Sequence, residues 1–170
     1  RGLGDVYKRQ DVVKAGIFTT RTIKVAEAAK VIEKGYRVWK GDLSTDYSLL
    51  ESGLDRFIKF DKAQSFPGKE SLLKEKQRGI SKKFVTMIIE GNDCDAPYMS
   101  TIMCDGKIVG EVTSGAYGHR VGASIALGMV ITEVAKPYQQ VSIDIFGQSY
   151  KAIIQEPGPL WDAKNMALRS

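Results

Sequence analysis

The chain has 170 residues, 43% hydrophobic and 26% charged, enough to enclose one sizeable core or two small ones. Its net charge of +5 is too mild to argue for nucleic acid, since Arg1, Lys8 and Arg9 against Asp5 supply two of those five charges from a stretch that matches no structural pattern. No apolar run approaches the roughly 20 residues that a membrane helix needs. The single histidine and the two cysteines, Cys94 and Cys104, lack metal-site spacing and read as an isolated ring and two reduced, half-buried thiols of a cytosolic or matrix protein.

In chain order, residues 1–10 (RGLGDVYKRQ) resemble a translated sequencing-adapter tail and are set aside; on that reading the chain is a C-terminal fragment. Residues 23–34, rich in Ala and charged helix formers, predict a helix, and residues 69–78 a short polar helix stopped by Gly79 at its C-cap. The periodicity changes there, which makes Gly79 the best domain boundary. Strands are then predicted at 83–89, within 102–112 as two runs joined at Asp105-Gly106, and at 124–130, 141–146 and 150–155, with Gly147-Gln148 turning the last hairpin. In VSIDIF the alternation sets Val141, Ile143 and Ile145 on one face and Ser142 and Asp144 on the other. Six short strands predict an antiparallel six-stranded β-barrel, closed or sandwich-like, behind an α+β N-terminal remnant. The expected division is a tail at 1–10, the remnant at 11–79, the barrel at 80–157 and an extension at 158–170.

TSGAYGHRVGASIALGMV at 113–130 packs Gly and small residues between two apolar runs. Gly115, Gly118 and Gly122 permit positive φ or close backbone approach, so TSGAYGHRVG is expected to form a tight connection from which Tyr117, His119 and Arg120 project. The alternative is that Tyr117 and His119 pack between the barrel and a preceding domain. Phosphate-loop and dinucleotide glycine patterns are absent, and His119 has no Cys or Ser in a nucleophile context.

The same stretch resembles the C-terminal barrel of the glycine-cleavage T-protein (aminomethyltransferase) superfamily, in the branch with dimethylglycine and sarcosine dehydrogenases. IEKGYRVWKGDLSTDYSLLESGLDRFIKFDK at 32–62, FPGKESL at 66–72 and DGKIVGEVTSG at 105–115 carry the resemblance in the same order, over about 32–157. It implies a fragment of a three-domain cloverleaf, with 11–79 the end of a folate-binding domain. It also implies tetrahydrofolate as cofactor, a small methylated amine as substrate, and FAD in an upstream domain of the same chain. No catalytic residue is expected here, because the family's acid lies upstream.

A pterin presents an amide edge from which a carboxylate accepts, and a flat ring suited to aromatic contact. Glu33, Tyr36 and Trp39 meet those demands if the segment stays helical, since all three then share one side. Otherwise Glu33 caps the helix or pairs with Arg37, and the aromatics are core. Together with Tyr117 and Arg120 they form the expected cofactor-binding set. Basic residues Lys69, Lys74, Lys76, Arg78, Lys82 and Lys83 either steer a polyanionic folate tail or form a solvated helix face with pairs such as Glu70–Lys74.

Departures from the family pattern are Val31 for its Arg, Lys40 for a Gly, a lost proline in 48–54, Arg56 for an aromatic, Pro67 for Ile and Ala123 for Lys. Two function classes stay open. One is the C-terminal portion of an enzyme passing an N-methyl-derived one-carbon unit to folate, with a folate-dependent sulfonium demethylase as a variant. The other is a non-catalytic barrel or binding module of the same superfamily.

Overall fold

The alternation beyond Gly79 becomes six strands: β1 (Lys82–Ile89), β2 (Thr101–Cys104), β3 (Lys107–Gly118), β4 (Ala123–Ile131), β5 (Gln140–Ile145) and β6 (Gln148–Ile154). The computed structural model describes residues 31–62, 64–91 and 94–167, so the adapter-like tail and most of the predicted helix at 23–34 lie outside the described residues. All strands pair antiparallel and close in the order β1-β4-β3-β2-β5-β6, with β6 returning to β1. β2, β3 and β4 are joined by hairpins and β1 lies beside β4, a Greek-key arrangement. The expected six-stranded antiparallel barrel is therefore present, and it is closed, which leaves no strand edge open to pair.

Local chemistry sets the hairpins. Asp105 (φ 50°) and Gly106 (φ 73°) both occupy the left-handed region, as a two-residue turn matched to strand twist requires. The last hairpin turns one residue earlier than expected, at Phe146 (φ 52°) and Gly147 (φ 82°). The reason is register: Ile145 pairs with Gln148, which keeps Val141, Ile143 and Ile145 buried and leaves only two residues between the strands. TSGAYG is not a loop either. β3 runs through Gly118, and only 119–122 turn, with Gly122 at φ 72°.

The barrel interior holds Met87, Ile102, Val112, Ala126, Ile143 and Ile154, among others. The opposite side of β4 is covered too: Ile125 and Leu127 pack with Ile32, Phe84, Val121 and Leu160. A strand buried on both faces explains why IALGMV reads as a continuous apolar run rather than an alternation. Upstream, the helix α1 (Lys69–Arg78) ends where Gly79 donates its N–H to the Glu75 carbonyl at 2.8 Å, as its sequence predicts. None of its residues is buried, so the basic cluster it carries sits on a solvated face.

Candidate functional site where the 31–62 segment meets the barrel

The helical residues 31–33 end abruptly. Gly35 takes φ 64°, its N–H bonds the Ile32 carbonyl at 2.9 Å and the Tyr36 N–H the Val31 carbonyl at 3.1 Å. This left-handed step separates residues that a continuing helix would have stacked. Glu33 is 1% exposed, whereas Tyr36 is 53% and Trp39 70% exposed. The shared helical face expected for Glu33, Tyr36 and Trp39 does not form, and neither do the aromatics become core.

Glu33 joins the two parts of the fold. One carboxylate oxygen accepts the Arg120 backbone N–H at 2.6 Å and the other lies 3.4 Å from Arg120 Nη1. Its partner is thus Arg120 rather than Arg37. The β3–β4 turn that carries Arg120 is held against Gly118, where the Glu33 side chain passes so close that a Cβ on Gly118 would stand 3.2 Å from Glu33 Cγ. Tyr117 and His119 meet edge to face at 5.2 Å between ring centres, with Tyr117 half-buried and His119 exposed. Four of the five expected residues therefore split into a clasp, buried Glu33 with the partly exposed Arg120, and two exposed aromatics, Tyr36 and Trp39, with Tyr117 beside the clasp's turn.

Residues after the barrel complete the clasp. The Glu33 carbonyl accepts from the backbone N–H of Leu160 (2.9 Å) and Trp161 (3.3 Å). The Trp161 ring lies 4.2 Å from the Arg120 guanidinium and 5.0 Å from Lys34 Nζ, which in turn bonds Asn165 Oδ1 at 2.9 Å and Asp162 Oδ2 at 3.3 Å. The sequence marks residues 158–170 only as an extension beyond the barrel. An isolated tryptophan followed by an acid in a polar tail was the available signal.

Two further carboxylates fix the 31–62 segment to the barrel side, Asp42 beside Trp39 and Glu51 farther along. Asp42 is fully buried, with Oδ2 accepting the Val38 N–H at 2.8 Å and Oδ1 the Thr113 hydroxyl. Thr113 is the unpaired extra residue of a β-bulge in β3, which aims its hydroxyl at Asp42. Glu51 accepts from Ser81 Oγ (2.8 Å), Lys82 N–H (3.2 Å) and Ser48 N–H (3.2 Å). Burial pushes the Glu51 carboxyl up, but these donors outweigh it and hold the group below its ordinary value. Tyr47 donates to Glu111 on β3, and burial together with that carboxylate pushes the phenol well above its usual range. Neither Asp42 nor Glu51 stood out in the sequence, since an acid beside a turn reads as solvated. Cys94 and Cys104 are both free and partly buried.

Among the described residues no helix is long and apolar enough to cross a membrane. Residues 82–162 match the family model of the glycine cleavage T-protein C-terminal barrel domain. The chain is 35% identical over 127 residues to the mitochondrial dimethylglycine dehydrogenase of Rattus norvegicus, covering 74% of this chain and 15% of that protein. It is 33% identical over 144 residues to a probable aminomethyltransferase of Thermococcus gammatolerans, covering 78% of this chain and 35% of that one. The glycine cleavage system aminomethyltransferase T of Bartonella henselae superposes with a TM-score of 0.73 at 20% identity, over 79% of this chain and 38% of that one, a likeness of fold. The chain thus spans between about a seventh and about a third of the length of these curated relatives. The barrel at residues 82–162 therefore belongs to the glycine cleavage T-protein C-terminal barrel family, and the similarity to dimethylglycine dehydrogenases and aminomethyltransferases runs beyond it.

Proposed function

We propose that this chain is the C-terminal portion of a tetrahydrofolate-dependent, aminomethyltransferase-like protein of the dimethylglycine or sarcosine dehydrogenase type, which passes an N-methyl-derived one-carbon unit to folate. The observation that carries the reading is that the similarity to a dimethylglycine dehydrogenase extends over 127 residues, beyond the 81-residue barrel and into the 31–62 segment. A barrel retained only as a structural module has no reason to keep that segment.

The residues present suit a flat ring. Tyr36 and Trp39 are both exposed, and Asp42 ties the chain beside Trp39 to Thr113 of the barrel, so stacking on Trp39 would cost little further ordering. Glu33 positions Arg120 and the Tyr117 turn, and with both oxygens engaged it acts through Arg120. Tetrahydrofolate, when bound, supplies the nitrogen that accepts the one-carbon unit. FAD belongs on this reading to an upstream domain, as do the catalytic acid and the pocket for the methylated amine. The chain alone is expected to turn over nothing, because a cleft between domains loses its pre-organisation when one wall is missing.

The test is calorimetric titration of tetrahydrofolate into the chain extended upstream to the length of an aminomethyltransferase relative. Trp39→Ala should weaken binding about tenfold, the scale of one lost aromatic contact. Equal affinity in wild type and variant, with folding intact, would favour the non-catalytic module.

A further inference from the structure

A concave region adjoins the Glu33–Arg120 clasp through Lys34 and Asn165 and reaches Tyr36, between the 31–62 segment, the start of β1 and residues 154–165. It is a cleft of about 520 Å³. Four cationic side chains line it, those of Lys34, Arg37, Arg56 and Lys83, and no Asp or Glu is among its lining residues. Lys34 is satisfied by Asp162 and Asn165. Arg37 is not: its Nε is buried and has no hydrogen-bond partner among the described residues. Its guanidinium is nevertheless fixed, lying 4.3 Å from the centre of the Phe84 ring and over Gly53, where an added Cβ would stand 2.9 Å from Nη2.

Such an arrangement is unfavourable unless something answers it. A buried donor without an acceptor keeps its full desolvation cost. Burial first, and then the neighbouring Arg56, lower the Arg37 pKa, against the weaker opposing pull of Asp42 and Asp55. Arg37 and Arg56 thus lie within electrostatic reach of each other, and the opposing acids do not restore the Arg37 pKa to its ordinary value. Pro157 and Pro159 add rigid apolar surface to the lining, and Thr86 and Gln155 add polar groups.

We propose that this cleft is a binding site for a small organic anion, whose carboxylate or phosphate group is received by Arg37 and Arg56. The planar guanidinium of Arg37, stacked and therefore pre-oriented, offers the paired donors that such groups accept, and the volume leaves room for a short carbon body against the prolines. Lys83 adds a further positive charge to the lining.

Isothermal titration of the 170-residue chain at low ionic strength, with succinate and separately with inorganic phosphate, tests this. Saturable binding is expected, at least about tenfold weaker in Arg37→Gln and measurably weaker in Arg56→Gln. It should be unchanged in Lys107→Gln, an exposed cation beside the β2–β3 turn. A stronger response to succinate assigns a carboxylate ligand and a stronger response to phosphate a phosphoryl ligand. Because Arg37 also packs on Phe84, circular dichroism accompanies each variant. If Arg37→Gln loses its fold, the exposed Arg56→Gln carries the comparison. Absence of saturable heat with both anions, or equal weakening by Lys107→Gln, overturns the proposal.

Discussion

Replacing Glu33 by Ala should destabilise the chain by about 2–3 kcal/mol, and the contributions can be apportioned from its contacts. The carboxylate is the acceptor for the Arg120 backbone N–H at 2.6 Å, and the side chain is 1% exposed. Stranding that N–H costs about 1–3 kcal/mol. The ion pair adds less, about 1 kcal/mol at most, because the Arg120 side chain is 32% exposed and its charge returns to water when the partner is removed. For a chain of this size the sum corresponds to a fall of roughly 5–10 °C in the unfolding midpoint. Glu33→Gln keeps an acceptor oxygen and loses only the charge, so it should cost about half as much. Urea and thermal unfolding followed by circular dichroism would measure both. Glu33→Ala within about 0.5 kcal/mol of wild type, the ordinary range for a surface substitution, would show that the clasp does not hold the segment to the barrel.

The β3 glycines should differ in their tolerance of a methyl group. At Gly115 an added Cβ would stand 2.1 Å from the Ala96 carbonyl oxygen, a backbone atom, whereas at Gly118 the nearest atom is the terminal methyl of Ile125 at 2.5 Å. Gly118→Ala should therefore cost about 1–3 kcal/mol and Gly115→Ala more, and the reverse order of urea midpoints would sink this reading of the strand. A pH dependence should arise at Glu51, whose folded-state pKa is depressed by the Ser81, Ser48 and Lys82 donors. The sign follows: its stabilisation is complete above its ordinary value of 4.5 and is lost as the pH falls from there through the lowered folded value. Glu51→Gln should flatten the stability profile in that acidic window and leave its slope near neutrality unchanged. A profile of the same steepness below 4.5 would assign the acid sensitivity to other carboxylates.

Much of the fold was legible in the sequence because the barrel is built from local pairs. Asp105-Gly106 can adopt two consecutive positive φ angles, and VSIDIF alternates with the period of a half-buried strand, so neither needed information from elsewhere in the chain. Closure of the barrel was only one of two readings, and the tertiary pairing of β6 with β1 decided it. The turn at Phe146-Gly147 and the strand through TSGAYG were also outside local reach. The first follows from the register with β5. The second follows from glycine serving close approach to Ala96 and Glu33, which a sequence cannot distinguish from glycine serving a loop. The candidate site was half legible. Glu33, Tyr36, Trp39, Tyr117 and Arg120 could be named from their chemistry, but whether they met depended on one left-handed residue, Gly35, which turns the aromatics outward and leaves Glu33 inward to Arg120. Asp42 with Thr113, Glu51 with Ser81, and Trp161 over Arg120 lie 71, 30 and 41 positions apart in the chain. Such pairs exist only once the barrel has closed, because burial is what turns an ordinary acid or a tail tryptophan into a fixed partner.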